Sequence, residues 1–344
     1  MSVFLEQEIY SQPALLAHLL DNELEHIQQI VRSLPAFRYV VIAARGSSDH
    51  AATYAAYSWA ALARYPVAPA TPSLHSMYHL PPSFAEALVV GISQSGQSPD
   101  IVSIIEEGKK QGRPTLAITN DGQSPLAQAA DHVVLLHVGE EKSVAATKTY
   151  TAQLTIMAAF AAAFSRDQNT IAQLRSLPEA AAAVLAGSQS IAERAERYRY
   201  MNQCTIIGRG YNYATAHELA LKLKELTYVM AISYSSADFR HGPIAAIESG
   251  SPVILIMPEG SVLADMRRLA EDLLQSGAEL LVISDTAAAL DLAQTRLPLA
   301  ATVPEWLSPI TSIMPGQVFA LHLAHVKGLN PDTPRSLRKV TKTV

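Results

Sequence analysis

Residues 93–100 read Ser93-Gln94-Ser95-Gly96-Gln97-Ser98-Pro99-Asp100 and directly follow an apolar run at 88–92. Gly96 permits a tight turn or a close backbone approach. Ser98 suits a helix N-cap and Pro99 the first helical position. Such a turn presents hydroxyls and free backbone N–H groups at a helix N-terminus, where an anion is favoured. Serines and a glutamine donate hydrogen bonds without a fixed positive charge, which suits a phosphate that must later leave. A capped polar turn without a ligand has the same composition. A second turn, Arg45-Gly46-Ser47-Ser48, follows the apolar run 39–44. There Arg45 either assists an anion or pairs with an acidic residue.

Glu218, Lys222 and Glu225 are spaced i, i+4, i+7 and share one helical stripe. Apolar flanks (Leu219 and Leu226, Leu221 and Tyr228) suit partial burial, and a carboxylate beside a lysine is a workable proton-transfer pair. A solvated salt-bridged face shows the same spacing. His241, before Gly242-Pro243, is expected on a loop, with an unperturbed pKa near 6.5 that suits acid–base work. The tail 330–339 carries two prolines and several basic residues, so it is expected to be extended and able to close over an anion or to fray.

Several chemistries lack their signatures. There is no Gly-Lys-Ser/Thr phosphate loop, no dinucleotide fingerprint, no His-Glu-x-x-His, no zinc spacing and no Gly-x-Ser-x-Gly elbow. No metal or redox cofactor is expected.

The elements that must position these residues can be read from hydropathy. Residues 1–32 show helical spacing and read as one or two amphipathic helices. Apolar runs at 39–44, 88–92, 115–118 and 132–138 read as buried strands, with helices at 51–63 and 101–111 between them. Alternation of this kind implies a parallel sheet covered on both faces. An alanine-rich stretch at 150–200 reads as two or three connecting helices. The strand pattern then restarts at 205–208, 253–257 and 280–284. Ile42-Ala43-Ala44-Arg45-Gly46 resembles Ile206-Ile207-Gly208-Arg209-Gly210, which suggests duplication. The expected organisation is 1–32 N-terminal helices, 33–165 first subdomain, 166–198 connecting helices, 199–329 second subdomain and 330–344 closing tail.

The 344 residues are 49% hydrophobic and 17% charged with net charge −5, enough apolar content for buried cores and without the basic patch of a nucleic-acid binder. One cysteine, Cys204, cannot form an internal disulfide. No secretory leader or membrane span is evident. A cytoplasmic protein with neither nucleic-acid nor membrane partner is expected.

Together the motifs resemble the sugar isomerase (SIS) domain family, and more closely the isomerase half of glucosamine-6-phosphate synthases. The resemblance rests on Gly46-Ser47-Ser48, Ser93-Gln94-Ser95-Gly96, Val144-Ala145-Ala146-Thr147-Lys148, the run from Glu218 to Glu225, His241-Gly242-Pro243, and Lys327-Gly328 with Pro334-Arg335-Ser336-Leu337. It implies an α/β, doubly wound, flavodoxin-like fold: two SIS subdomains, each a five-stranded parallel sheet flanked by helices. It implies a sugar phosphate held by Ser48, Ser93, Gln94, Ser95 and Ser98, with Ser47 beside them and Val144 contacting the sugar through its backbone. Glu225 matches the base that moves a proton between C1 and C2, and Lys222 the lysine one turn before it. His241 matches the residue that assists ring opening from a neighbouring subunit, which implies a homodimer. Lys339 matches a terminal lysine that contacts the open-chain sugar and can form an imine with it.

Three departures stand out. Arg45 replaces a cysteine, Ala146 a serine expected to touch the sugar, and Asp238 a frequent glutamate. The synthases also carry a glutamine-hydrolysing domain with an N-terminal cysteine, and here Ser2 follows Met1, so no glutaminase activity is expected. The leading expectation is conversion of glucosamine 6-phosphate and water to fructose 6-phosphate and ammonia. Another phosphosugar isomerase, a deglycase for a 6-phosphorylated fructosamine, or a non-catalytic sugar-phosphate sensor are the alternatives.

Overall fold

The structure is a computed structural model and describes residues 3–339. The described residues divide into two compact units, each discontinuous in sequence: 14–141 with 148–175 and 338–339, and 3–13 with 142–147 and 176–337.

In the first unit β1 (Tyr39–Ala43), β2 (Val67–Pro69), β3 (Ala87–Ile92), β4 (Thr115–Thr119) and β5 (His132–Leu135) form an all-parallel sheet in the order β2-β1-β3-β4-β5. Every residue of β3 and β4 is buried, which is why these strands read as unbroken apolar runs. The helix Ser47–Ala63 follows β1 and the helix Pro99–Lys110 follows β3. Ile101, Ile104 and Ile105 of the latter pack on Val89, Ala117 and Leu126. The helix Lys148–Ser165 is buried along almost its whole length, and Trp59 Nε1 donates to its Met157 carbonyl at 2.8 Å.

In the second unit β6 (Gln203–Gly208), β7 (Met230–Ser235), β8 (Pro252–Ile256), β9 (Glu279–Ser284) and β10 (Thr295–Pro298) are parallel in the order β10-β9-β8-β6-β7. Read from the β7 edge this is the strand order of the first sheet, so the duplication suggested by Arg45-Gly46 and Arg209-Gly210 extends to the topology. Each half also ties its strand-order reversal with the same kind of ion pair. Arg45 Nε lies 2.9 Å from Asp100 Oδ2, and Arg209 Nη1 lies 3.3 Å from Asp265 Oδ2. Both aspartates sit in the first turn of the helix after the half's third strand. The helices Tyr213–Thr227 and Ser308–Val326 approach closely at Gly316, where a Cβ would lie 2.8 Å from Leu219 Cδ1.

One of the expectations drawn from hydropathy is met in its simpler form, and two details depart from them. The N-terminal segment is a single helix, Phe4–Ser33, that runs through Pro13. Pro13 cannot donate to the Ile9 carbonyl; the Gln12 side-chain amide does so instead, at 2.8 Å, and continues to Gln317 Oε1. The alanine-rich stretch yields the buried helix Lys148–Ser165 and then three short helices, Gln168–Arg175, Leu177–Ala186 and Ile191–Ala195. β5 ends at Leu135, before His137 turns to φ +51°.

Candidate active site

The serine turns leave the carboxyl ends of β1 and β3, neighbours in the sheet on either side of the point where strand order reverses. Ligands of open α/β sheets bind at such points. Gly46 adopts φ +57°, ψ −131° at the N-cap of the helix Ser47–Ala63, a conformation that disfavours any side chain. Gly96 combines φ +63° with crowding: a Cβ there would sit 2.2 Å from Ser124 Oγ. Its N–H donates to the Ser93 carbonyl and hydroxyl, each at 3.2 Å, so the turn folds over Ser93. Ser95 Oγ accepts from Gln97 N at 3.3 Å, and the Gln94 carbonyl accepts from Asn120 N at 3.0 Å. Ser98 occupies the N-cap and Pro99 starts the helix, but the Ser98 side chain makes no capping bond. Ser48 Oγ is buried and accepts from Gln153 Nε2 at 3.0 Å. Arg45 spans the two turns through its ion pair with the fully buried Asp100. The structure thus brings Ser47, Ser48, Ser93, Gln94, Ser95 and Ser98 to one end of one sheet.

The stripe on the helix Tyr213–Thr227 is not a solvated face. The Lys222 side chain is 1% exposed and Glu218 fully buried, while Glu225 keeps 21% of its surface. Lys222 Nζ lies 2.5 Å from Glu225 Oε2 and 3.4 Å from Glu218 Oε1. Two carboxylates share one buried ammonium. The outermost is fixed in place by it while remaining accessible, as a general base must be. Glu225 also lines a cleft of about 330 Å³ with Leu221, Tyr228 and Arg335. Arg335 stacks over the Tyr228 ring at 4.0 Å, and its N–H donates to Tyr228 Oη at 2.9 Å. Asp332 accepts from Phe4 N and Leu5 N, both at 2.9 Å, and so caps the first helix with a carboxylate. Residues 332–335 are therefore docked rather than frayed.

Val144 and Ala146 are half-buried in the segment Lys142–Thr147, which belongs to the same unit as Glu225. Glu8 holds this segment. Its carboxylate accepts from Lys142 N at 2.5 Å and from Ser143 Oγ and N at 2.5 and 3.3 Å. His241 is exposed at the end of the short helix Ser236–Arg240, ahead of Gly242 at φ +144°. Lys339, in the unit of the serine turns, pairs with the buried Glu141. Glu8 and Glu141 escaped the reading of the sequence. Glu8 lies 134 positions from Lys142 and Glu141 lies 198 from Lys339, so spacing gave no signal for either. Among the described residues no cluster of His, Cys, Asp and Glu could hold a metal ion, and no helix is long and apolar enough to cross a membrane.

The SIS domain model matches residues 37–163 and again 199–327. The glutamine–fructose-6-phosphate aminotransferase (isomerizing) of Thermococcus kodakarensis is 32% identical over 350 residues, which cover 98% of this chain and 57% of that protein. The same enzyme of Pyrococcus horikoshii is 33% identical, with 98% and 57% covered. The chain spans little more than half the length of these relatives. Among solved structures, a phosphosugar isomerase candidate from Silicibacter pomeroyi aligns with TM-score 0.86 and 31% identity over 96% of this chain and 100% of that one. The glucosamine-6-phosphate deaminase of Thermotoga maritima aligns with TM-score 0.79 over 99% and 100%, at 20% identity, and shares the fold.

Proposed function

The chain belongs to the SIS domain family, and from that premise we propose that it is an aldose–ketose isomerase acting on a phosphorylated amino sugar, converting glucosamine 6-phosphate and water to fructose 6-phosphate and ammonia. The observation that carries the reading is Glu225, accessible yet fixed at 2.5 Å by a buried ammonium. The serine turns support a phosphate ligand, and relatives that share a third of the sequence are named for fructose 6-phosphate.

In this reading Ser47, Ser48, Ser93, Gln94, Ser95 and Ser98 anchor the phosphate and hold the reacting carbons in register. His241, contributed by a second copy in a cytoplasmic homodimer, assists opening of the pyranose to the C1 aldehyde. Glu225 removes the C2 proton, giving an enolamine, and the proton is delivered to C1. The C2 imine so formed takes up water and loses ammonia, leaving the C2 ketone. Lys222 orients the base, and the Lys339 ammonium faces the developing oxyanion. The chain's thiol, Cys204, is buried at β6 and pushed up to about 12 by that burial, so it is unsuited to releasing ammonia from glutamine.

Ala146 favours a second reading. A methyl group where a sugar-contacting hydroxyl is expected leaves C2 substituents differently held, which suits a related substrate such as a 6-phosphorylated fructosamine or a sugar without a free amine. The test is a panel of glucosamine 6-phosphate, its N-acetylated form, plain hexose 6-phosphates and a fructosamine 6-phosphate, read for ammonia and for ketose. Ammonia from the first alone supports the leading reading. Turnover of another member moves the assignment to that substrate. Binding without turnover of any overturns the enzymatic reading in favour of a sensor.

A further inference from the structure

Glu141 is fully buried, and a buried carboxylate must be paired and hydrogen-bonded to stay charged. Its Oε1 accepts from Thr149 N at 3.1 Å and its Oε2 from Thr149 Oγ1 at 2.7 Å, which ties it to the first turn of the helix Lys148–Ser165. Both donors are neutral. A charged partner comes from Lys339, whose Nζ lies 2.5 Å from Oε2 and whose side chain is only 26% exposed. On the same element Lys148 Nζ turns to the Glu140 carbonyl at 2.7 Å. Lys339 lies 198 residues along the chain from Glu141, so no local geometry forces this contact.

We propose that Glu141 is a positioning residue that seats residues 338–339: its buried carboxylate, oriented by Thr149, fixes Lys339 within the unit that carries the serine turns. Thr149 sets the direction of the carboxylate, the carboxylate sets the position of the lysine, and the lysine brings residues 338–339 with it. Breaking the pair removes a contact that holds Lys339 against a buried carboxylate, and the segment is the cheaper part to release. The catalytic consequence, and only that part, rests on the role proposed above for Lys339.

Native-state cleavage by trypsin after Arg338, followed by mass spectrometry, tests the seating without any substrate. Cleavage is expected about tenfold or more faster in Glu141→Gln and Lys339→Gln than in the parent chain. Glu141→Asp should restore part of the protection, and the double variant should cleave no faster than either single one. Parent-like cleavage in both single variants, or a double variant whose effect is the product of the two, overturns the proposal. If Glu141→Gln does not fold and is cut throughout, Lys339→Gln decides alone. With glucosamine 6-phosphate, Glu141→Gln should lower kcat/KM about tenfold or more, with partial rescue by Glu141→Asp. Unchanged kcat and KM overturn the catalytic part. A parent chain that turns over nothing overturns the functional reading while the cleavage result still decides the seating.

Discussion

Lys222 stands between two carboxylates of its own helix but belongs to one of them: Nζ is 2.5 Å from Glu225 and 3.4 Å from Glu218. A buried lysine thus holds the residue that must face substrate. Removing its charge leaves two carboxylates to repel each other in a poorly solvated space. Lys222→Met should therefore cost about 3–5 kcal/mol in urea unfolding. Adding Glu218→Gln should recover part of that loss and none of the turnover. An unchanged unfolding midpoint in Lys222→Met would show that the ammonium does not neutralise the stripe.

Gly96 carries two independent demands, a left-handed φ and the absence of a Cβ beside Ser124. Gly96→Ala should lose about 1–3 kcal/mol, because strain and steric displacement add. The displaced turn should also raise KM for a phosphosugar more than it lowers kcat. A variant with parent-like KM would detach this turn from phosphate binding.

Asp265 is held below the usual carboxylate range. Its burial opposes ionisation, but the Ser236 hydroxyl and the Arg240 and Arg209 guanidiniums outweigh it. A lowered native pKa stabilises the fold above the unfolded value, near 3.9, and that contribution is lost as pH falls through the native value. Unfolding free energy measured from pH 6 down to pH 2 should fall less steeply at the acid end in Asp265→Asn than in the parent chain. Identical slopes would contradict the assignment.

Cys204 has the opposite displacement. Burial pushes its thiol up to about 12, so almost no thiolate exists at pH 8. A thiol reagent should leave the folded protein unlabelled at that pH and modify one equivalent in denaturant. Prompt labelling of the native chain would place this thiol at the surface.

The strands that hydropathy revealed are the ones with neighbours on both sides, with β5 the exception. Val40 to Ala43, β3, β4 and most of β8 and β9 are buried on both faces, and the sequence shows mainly apolar runs there. β2, β7 and β10 are sheet edges and were not visible as strands; only the family resemblance implied five per sheet. Val67–Pro69 is three residues long with a proline, Thr295–Pro298 holds an exposed Arg296, and β7 exposes Met230 and Ile232. At the site, the serine turns and the Glu218–Lys222–Glu225 stripe were legible because their residues are close in sequence. Arg45–Asp100, Glu8 with Ser143, and Glu141 with Lys339 were not, because each joins residues 55 to 198 positions apart.

The proposed chemistry requires Glu225 to act on a substrate carbon rather than merely to complete an ion pair. The decisive measurement is the steady rate of ammonia and fructose 6-phosphate formation from glucosamine 6-phosphate by the parent chain and by Glu225→Gln, with thermal unfolding of both recorded alongside. Loss of a positioned general base predicts a fall in kcat of about 10²–10⁴-fold with the fold intact. A folded Glu225→Gln protein that releases ammonia at the parent rate would contradict the account.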